Sequence, residues 1–204
     1  MSEEIEAVVW DVGGVLVRWD LRCLLRKLYE TEEEAQWAFE NVVGLEWHSR
    51  HDGGHDLAKL VAERIAEFPD HAHAIEAYAT RFLETIPGVV EGSAALVEAL
   101  AARGVPLYAI TNFPSEFWDE FHPTEPAIRH FRDVVVSGKV RLVKPDPAIF
   151  HLAAERFGHR AEAMLFIDDS PANVEAARAL GWQVHLFSDA QTLEAELLSR
   201  GLIG

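Results

Sequence analysis

The sequence predicts an α/β fold, with a Rossmann-like parallel sheet core and an inserted helical bundle. Three observations predict it. Short apolar runs rich in β-branched residues recur along the chain, and their continuous rather than alternating apolarity marks strands buried on both faces. Helical patterns alternate with these runs through the second half, as crossover helices between parallel strands do. A long stretch after the first run has helical periodicity and no convincing strand. With 204 residues and 49% hydrophobic content, the chain is long enough to bury a substantial core.

The first strand is "AVVWDV", near 7–12. Between 19 and 86 the segments "LRCLLRKLY", "AQWAFENVV", "LAKLVAERIAEF" and "AIEAYATRFLETI" carry apolar residues at helical spacing. Thr31 and Glu34 form a capping box, and the acidic cluster "ETEEEA" around it reads as a solvated helix start. "IPGVVEG", with Pro87 and Gly88, returns the chain to the core. The expected organisation is therefore a core of residues 1–18 and 87–204 and a helical cap of residues 19–86. Downstream, "SAALVEALAARG" predicts a helix capped by Ser93 and ended by Gly104, followed by a strand at 106–111. "DVVVS" at 133–137 is a further strand candidate. A helix from Asp146 to Gly158 precedes the strand "MLFID" at 164–168. A helix from Ser170 to Gly181 precedes "QVHLF" at 183–187. Asp146 and Ser170 each stand before a proline suited to the first helical turn.

Lys and Arg number 18 against 34 Asp and Glu, a formal charge of -16. Such a surface repels nucleic acid and anionic membranes, so attraction for an anionic substrate must be made locally. The single cysteine, Cys23, excludes an internal disulfide and reads as a small apolar residue on a helix. "MSEEIEAVVW" shows neither a basic leader nor a long apolar segment, and the expectation is a cytoplasmic protein with no membrane anchor.

In an open parallel sheet, ligands bind beyond the C-terminal strand ends, so polar residues that finish apolar runs are the candidates for chemistry. Asp11 ends the first run, Thr111 and Asn112 end the second, and Asp168 and Asp169 end the "MLFID" run; Lys144 precedes the loop-to-helix step at Pro145 and Asp146. Taken singly, each has an ordinary structural reading, as turn, cap or surface residue. Together, three carboxylates at one sheet edge would repel unless a cation shares their space. Mg²⁺ takes hard oxygen ligands and suits phosphate substrates. A lysine facing the same point offsets phosphoryl charge, and a threonine hydroxyl with the N–H groups after it binds phosphoryl oxygens.

Four ordered motifs, "VVWDVGGVLV", "LYAITNFP", "RLVKPDPAIF" and "MLFIDDSPANVEAARALGW", cover nearly the whole chain. On them the sequence resembles the haloacid dehalogenase (HAD) superfamily of phosphohydrolases. Within it, the likeness is to the small bacterial sugar-phosphatase type, which also has a glycine two residues after the first aspartate. The resemblance implies a Mg²⁺-dependent phosphomonoesterase acting on a small phosphorylated metabolite, a sugar phosphate among the candidates. It implies Asp11 as nucleophile, Thr111 and Asn112 as phosphoryl-binding groups, and Lys144 as the cation beside nucleophile and phosphate. It further implies Asp169, Asp168, Asp11 and the main-chain carbonyl of Gly13 around the metal, with Asp168 either touching it or orienting its waters. The helical insertion matches the cap of these enzymes.

The sequence departs from the family pattern at Gly13. Most phosphatases of the family carry there an aspartate that protonates the leaving oxygen, a contribution of about 10²–10⁴-fold. The segment "EWHSRHDGGHD" offers replacements, in that His48, His51, His55, Asp52 and Arg50 cluster around a Gly–Gly turn. His48 is the candidate among the histidines for acid chemistry or substrate binding. Trp10, Trp19, Trp47 and Trp182 read as packing residues, with Trp47 the one placed to line a substrate pocket. Two rival readings stand beside the phosphatase: carbon–halogen hydrolysis by the same nucleophile, and a non-catalytic phosphate-binding or regulatory protein that has lost its acid.

Overall fold

A computed structural model of the chain describes residues 4–204, so the first three residues of the segment read as lacking a leader lie outside the described residues. Five strands form one parallel sheet. They are β1 (Ala7–Trp10), β4 (Leu107–Thr111), β5 (Asp133–Val136), β6 (Met164–Asp168) and β7 (Gln183–Leu186), in the spatial order β5-β4-β1-β6-β7. All five correspond to the predicted runs. The register pairs Val9 with Tyr108 on one side and with Phe166 on the other, which aligns the C-terminal ends of β1, β4 and β6.

Alternate residues of the three central strands supply two separate apolar clusters. Val8, Trp10, Leu107, Ala109, Leu165 and Ile167 face one cluster; Ala7, Val9, Tyr108, Ile110, Met164 and Phe166 face the other. This is why their apolarity is continuous in sequence: both sheet faces are covered, and a polar residue at any of these positions would be stranded from water.

Helices α6 (Ser93–Ala102), α7 (Ser115–Phe121), α8 (Ser137–Val140), α9 (Pro147–Phe157), α10 (Pro171–Ala179) and α11 (Ala190–Ser199) lie between and after the strands. Gly104, Gly158 and Gly181 take left-handed backbone just past α6, α9 and α10, as expected of terminating glycines. Asp146 caps α9 through its side chain, which accepts from the Ala148 N–H. The expectation for Ser93 is corrected: it is the first residue of α6, the capping position is Gly92, and the Ser93 hydroxyl is buried without a partner among the described residues. Ser170 occupies the capping position of α10 but makes no capping hydrogen bond.

Two elements were not expected from the sequence. Val17–Arg18 (β2) and Gly88–Val89 (β3) pair antiparallel, joining the segment after β1 to the segment that re-enters the core. Between them run only helices: α1 (Arg22–Leu25), α2 (Glu32–Asn41), α3 (Leu45–Asp52), α4 (Leu57–Glu67), α5 (Ala72–Thr80) and short 3₁₀ turns, including Phe82–Thr85. The capping box of α2 is complete, with the Glu34 N–H donating to Thr31 Oγ1 and the Thr31 N–H to Glu34 Oε2. Trp47, Leu60, Tyr78 and Phe82 of this helical layer pack into the cluster on the Trp10 face of the sheet. Among the described residues, no helix is long and apolar enough to cross a membrane.

Candidate active site

Asp11 follows β1 directly, and its N–H donates to the Ile167 carbonyl, so the β1–β6 ladder continues to the point where the carboxylate leaves the sheet. Its Oδ1 accepts from the Val12 N–H at 2.7 Å and lies 2.8 Å from Lys144 Nζ. Oδ2 takes part in no hydrogen bond or ion pair among the described residues. Lys144 Nζ also donates to Asp168 Oδ2 at 2.7 Å, so one buried ammonium bridges the ends of two adjacent strands. Asp168 is wholly buried and saturated. Besides Lys144, it accepts from the Ser170 N–H at 2.8 Å and from Asn173 Nδ2 at 3.0 and 3.1 Å.

Lys144 is itself held by Asn112. The Asn112 amide donates to the Lys144 carbonyl at 2.9 Å and accepts from the Lys144 N–H at 2.8 Å, a reciprocal pair that fixes the loop before α9 against the end of β4. Thr111 is buried at the end of β4 and is not among the residues lining the cavity described below. Asp169 is exposed, and its carboxylate occupies the space where a side chain at Gly14 would stand: a Cβ there would lie 2.1 Å from Asp169 Oδ2. Gly14 also has left-handed backbone, at φ +77. At Gly13, by contrast, a Cβ would meet nothing within 4 Å.

The charges do not balance. Burial raises the Asp11 carboxyl to about 8, against the pull of Lys144 and with the help of Asp168 and Asp169. Burial also draws the Lys144 ammonium down, but the two carboxylates outweigh it and hold the lysine protonated. Partial burial and Asp168 raise Asp169. Oxygens of Asp11, Asp168 and Asp169 all lie within 4.8 Å of one another, an all-oxygen donor set for a hard cation such as Mg²⁺. A divalent cation would offset the uncompensated charge, and the residues present fit it.

A cavity of about 540 Å³ opens over this cluster, a size suited to a small molecule. The core supplies Asp11, Gly13, Asn112, Lys144 and Asp169, and the helical layer supplies His48, Asp52 and Phe82. His48 thus lines the cavity beside the core residues. Its ring stacks on Trp19 at 4.9 Å between centroids, and burial lowers its pKa to about 3, with His51 adding to the effect. His51 is buried behind it against Tyr78 and Phe117, while His55 and Arg50 are exposed. The tryptophan expectation is corrected: Trp47 is buried against Tyr78, and Trp19 lines the cavity instead.

Comparison with known proteins places the chain in a family. A family model described as "haloacid dehalogenase-like hydrolase" matches residues 5–181. Phosphoglycolate phosphatase of Escherichia coli (strain K12) is 36% identical over 83 residues, which are 41% of this chain and 33% of that protein, so the aligned stretch spans a third of that protein's length. Phosphoserine phosphatase of Thermus thermophilus is 30% identical over 151 residues, covering 72% of this chain and 60% of that one. Among solved structures, a HAD family enzyme from Bacteroides thetaiotaomicron, in complex with magnesium and inorganic phosphate, superposes with a TM-score of 0.68. It is 21% identical and covers 91% of this chain and 95% of its own. With the family model spanning all but the last strand, the last helix and the chain ends, the chain belongs to the haloacid dehalogenase-like hydrolase family.

Proposed function

We propose that the chain is a Mg²⁺-dependent phosphomonoesterase acting on a small phosphorylated metabolite in the cytoplasm. The observation that carries this reading is the Asp11–Lys144–Asp168 cluster, with Asp169 beside it, at the floor of a cavity sized for a small molecule. Two of the relatives are named as phosphatases of small phosphorylated acids, and a structural neighbour holds magnesium with inorganic phosphate, which supports the same reading.

Asp11 is the nucleophile. Its Oδ1 is tied to Lys144 and the Val12 N–H, so Oδ2 is the oxygen free to form a bond to phosphorus. Lys144 keeps charge off the attacked phosphoryl group, and Asn112 holds Lys144 in place through its main chain. Asp11, Asp169 and the Gly13 carbonyl would hold the metal. Asp168, its oxygens already occupied by Lys144, Asn173 and the Ser170 N–H, anchors the lysine from below. When bound, Mg²⁺ supplies Lewis acidity and orientation for the phosphoryl oxygens. Asn112 marks the phosphoryl end of the cavity, with Thr111 buried at the end of β4 beside it. His48, Trp19 and Phe82 form the wall that faces the rest of the substrate.

Hydrolysis of p-nitrophenyl phosphate tests the reading. Turnover with Mg²⁺, its loss in EDTA, and a fall of at least about 10³-fold in Asp11→Asn are expected. Unchanged activity in Asp11→Asn would remove the nucleophile, and full activity in EDTA would remove the metal. Chloride release from 2-chloropropionate in place of phosphate release would favour the dehalogenase, and silence toward all phosphates a binding protein.

A further inference from the structure

The mechanism above leaves one proton unassigned. An alcohol leaving from phosphorus departs as an alkoxide unless it is protonated, and Gly13 offers no side chain. Five titratable side chains line the cavity: Asp11, His48, Asp52, Lys144 and Asp169. Asp11 attacks, Asp169 belongs to the metal, and Lys144 is bridged between two carboxylates at 2.7 and 2.8 Å. That leaves the two residues of α3, His48 and Asp52, one helical turn apart.

Their surroundings decide between them. His48 Nδ1 lies 2.8 Å from the Tyr78 hydroxyl, His51 Nδ1 lies 2.9 Å from the same hydroxyl, and His51 Nε2 lies 3.1 Å from Glu116 Oε1. Tyr78 has one proton to give, so it donates to one histidine and accepts from the other. Glu116, at the surface end, resists burial through hydrogen bonds from Ser115, its own N–H and His51, and is held below the usual carboxylate range as an anion. An anion there requires His51 Nε2–H as donor. His51 is lowered by burial, against the pull of Glu116, and so carries a single ring proton. Its Nδ1 then accepts from Tyr78, and Tyr78 accepts from His48 Nδ1–H. The order of donors thus runs from the cavity outward, assigned by counting protons along the chain. Its inner end is His48 Nε2 with a free lone pair, facing Asp52 Oδ2 at 3.3 Å.

A lone pair facing a carboxyl group favours the protonated acid. Asp52 Oδ1 is buried and has no hydrogen-bond partner among the described residues, an arrangement costly for a carboxylate and less so for a neutral carboxyl. We propose that Asp52 is the acid–base residue of this site, supplying from the helical layer the proton that Gly13 cannot supply from the core. The assignment rests on the phosphomonoesterase reading.

The protons balance within the cavity. As the Asp11 Oδ2–phosphorus bond forms and the ester P–O bond breaks, the electron pair goes to the alcohol oxygen, which takes the Asp52 proton. In the second half, a water oxygen attacks phosphorus and its proton passes to the Asp52 carboxylate. The bond to Asp11 breaks, inorganic phosphate leaves, and both carboxyl groups regain their starting states. Burial, opposed by Lys144, raises Asp52 to about 7, which poises it to give and take a proton near neutral pH. His48, Tyr78 and Lys144 are the titratable groups that act on it, and His51 and Glu116 follow beyond Tyr78. His48, lowered to about 3, stays neutral and acts as a positioning residue.

Asp52→Asn keeps the volume and removes the transferable proton. The test compares kcat/KM on p-nitrophenyl phosphate and on phenyl phosphate, whose phenol has a pKa of about 10 and leaves poorly without a proton. The expected loss is about 10²-fold or more on phenyl phosphate and less than about tenfold on the nitrophenyl ester, which serves as the control for folding and binding. The alkaline limb of the phenyl phosphate pH profile near 7 should also vanish. Equal losses on both esters, or no loss on phenyl phosphate, would overturn the role of Asp52. Survival of both activities in Asp11→Asn would instead overturn the nucleophile assignment, and silence of the wild-type chain toward both esters would overturn the phosphomonoesterase reading beneath the proposal.

Discussion

Gly13 and Gly14 stand side by side after Asp11, yet a methyl group would meet different neighbours at each. At Gly14 it would lie 2.1 Å from Asp169 Oδ2, on a backbone with φ +77 that L-residues rarely adopt. Gly14→Ala is therefore expected to cost about 1–3 kcal/mol in urea unfolding. It should also displace Asp169, raising the Mg²⁺ concentration needed for half-maximal activity. At Gly13 nothing lies within 4 Å of the added carbon, so Gly13→Ala should unfold at the wild-type midpoint. Equal behaviour of the two variants would contradict the packing of Asp169 against Gly14. The sequence shows two glycines in a turn and reads the first through a missing side chain. The second glycine's reason, an acid placed more than 150 residues later against its Cα, is visible only in three dimensions.

At the scale of elements, one polar chain joins three helices: Tyr78 of α5 holds His48 and His51 of α3 through its hydroxyl, and His51 reaches Glu116 of α7. Tyr78→Phe keeps the ring contacts with Trp47, Phe82 and Phe117 but leaves two buried histidine nitrogens unpaired. The expected cost is about 1–3 kcal/mol in urea unfolding, and a variant as stable as wild type would show that the hydroxyl is not shared as described. This network also marks where sequence reading stopped. The five sheet strands, the capping box at Thr31 and the polar strand ends were legible because each follows from local periodicity or from where a run finishes. Asp52 was one of several polar residues near a Gly–Gly turn, and nothing local separated it from His48 or His55. Its partners lie on other helices. The β2–β3 pair was missed because two-residue strands carry no periodicity, and Ser93 was misread because Gly92, rather than the nearest hydroxyl, takes the capping position. Asn112 was placed correctly at a strand end, but its grip on the Lys144 main chain depends on a loop that returns from β5.

Over the whole molecule, a formal charge of -16 is set against a site that binds its one lysine between two acids, so attraction for an anion is confined to the sheet edge where Lys144 and the metal residues meet. The buried titratable groups of α3 then shape how stability depends on pH. His48 titrates near 6.5 when unfolded and about 3 when folded, so between these values the unfolded chain binds more protons, and stability falls as pH drops. Asp52 titrates near 3.8 when unfolded and about 7 when folded, so between these values the folded chain binds more protons, and stability falls as pH rises. The two slopes oppose each other between 3.8 and 6.5; below that window the His48 slope acts alone, and from 6.5 to 7 the Asp52 slope does. Asp52→Asn removes only the second slope. In EDTA, its stability relative to wild type should rise with pH at up to about 1.4 kcal/mol per unit between 3.8 and 7, then level off. Urea unfolding of both chains at pH 5, 6, 7 and 8 measures this without reference to activity. Parallel curves would mean that Asp52 ionises as freely in the folded chain as in the unfolded one, and a carboxyl group so disposed could not be holding a proton for the substrate.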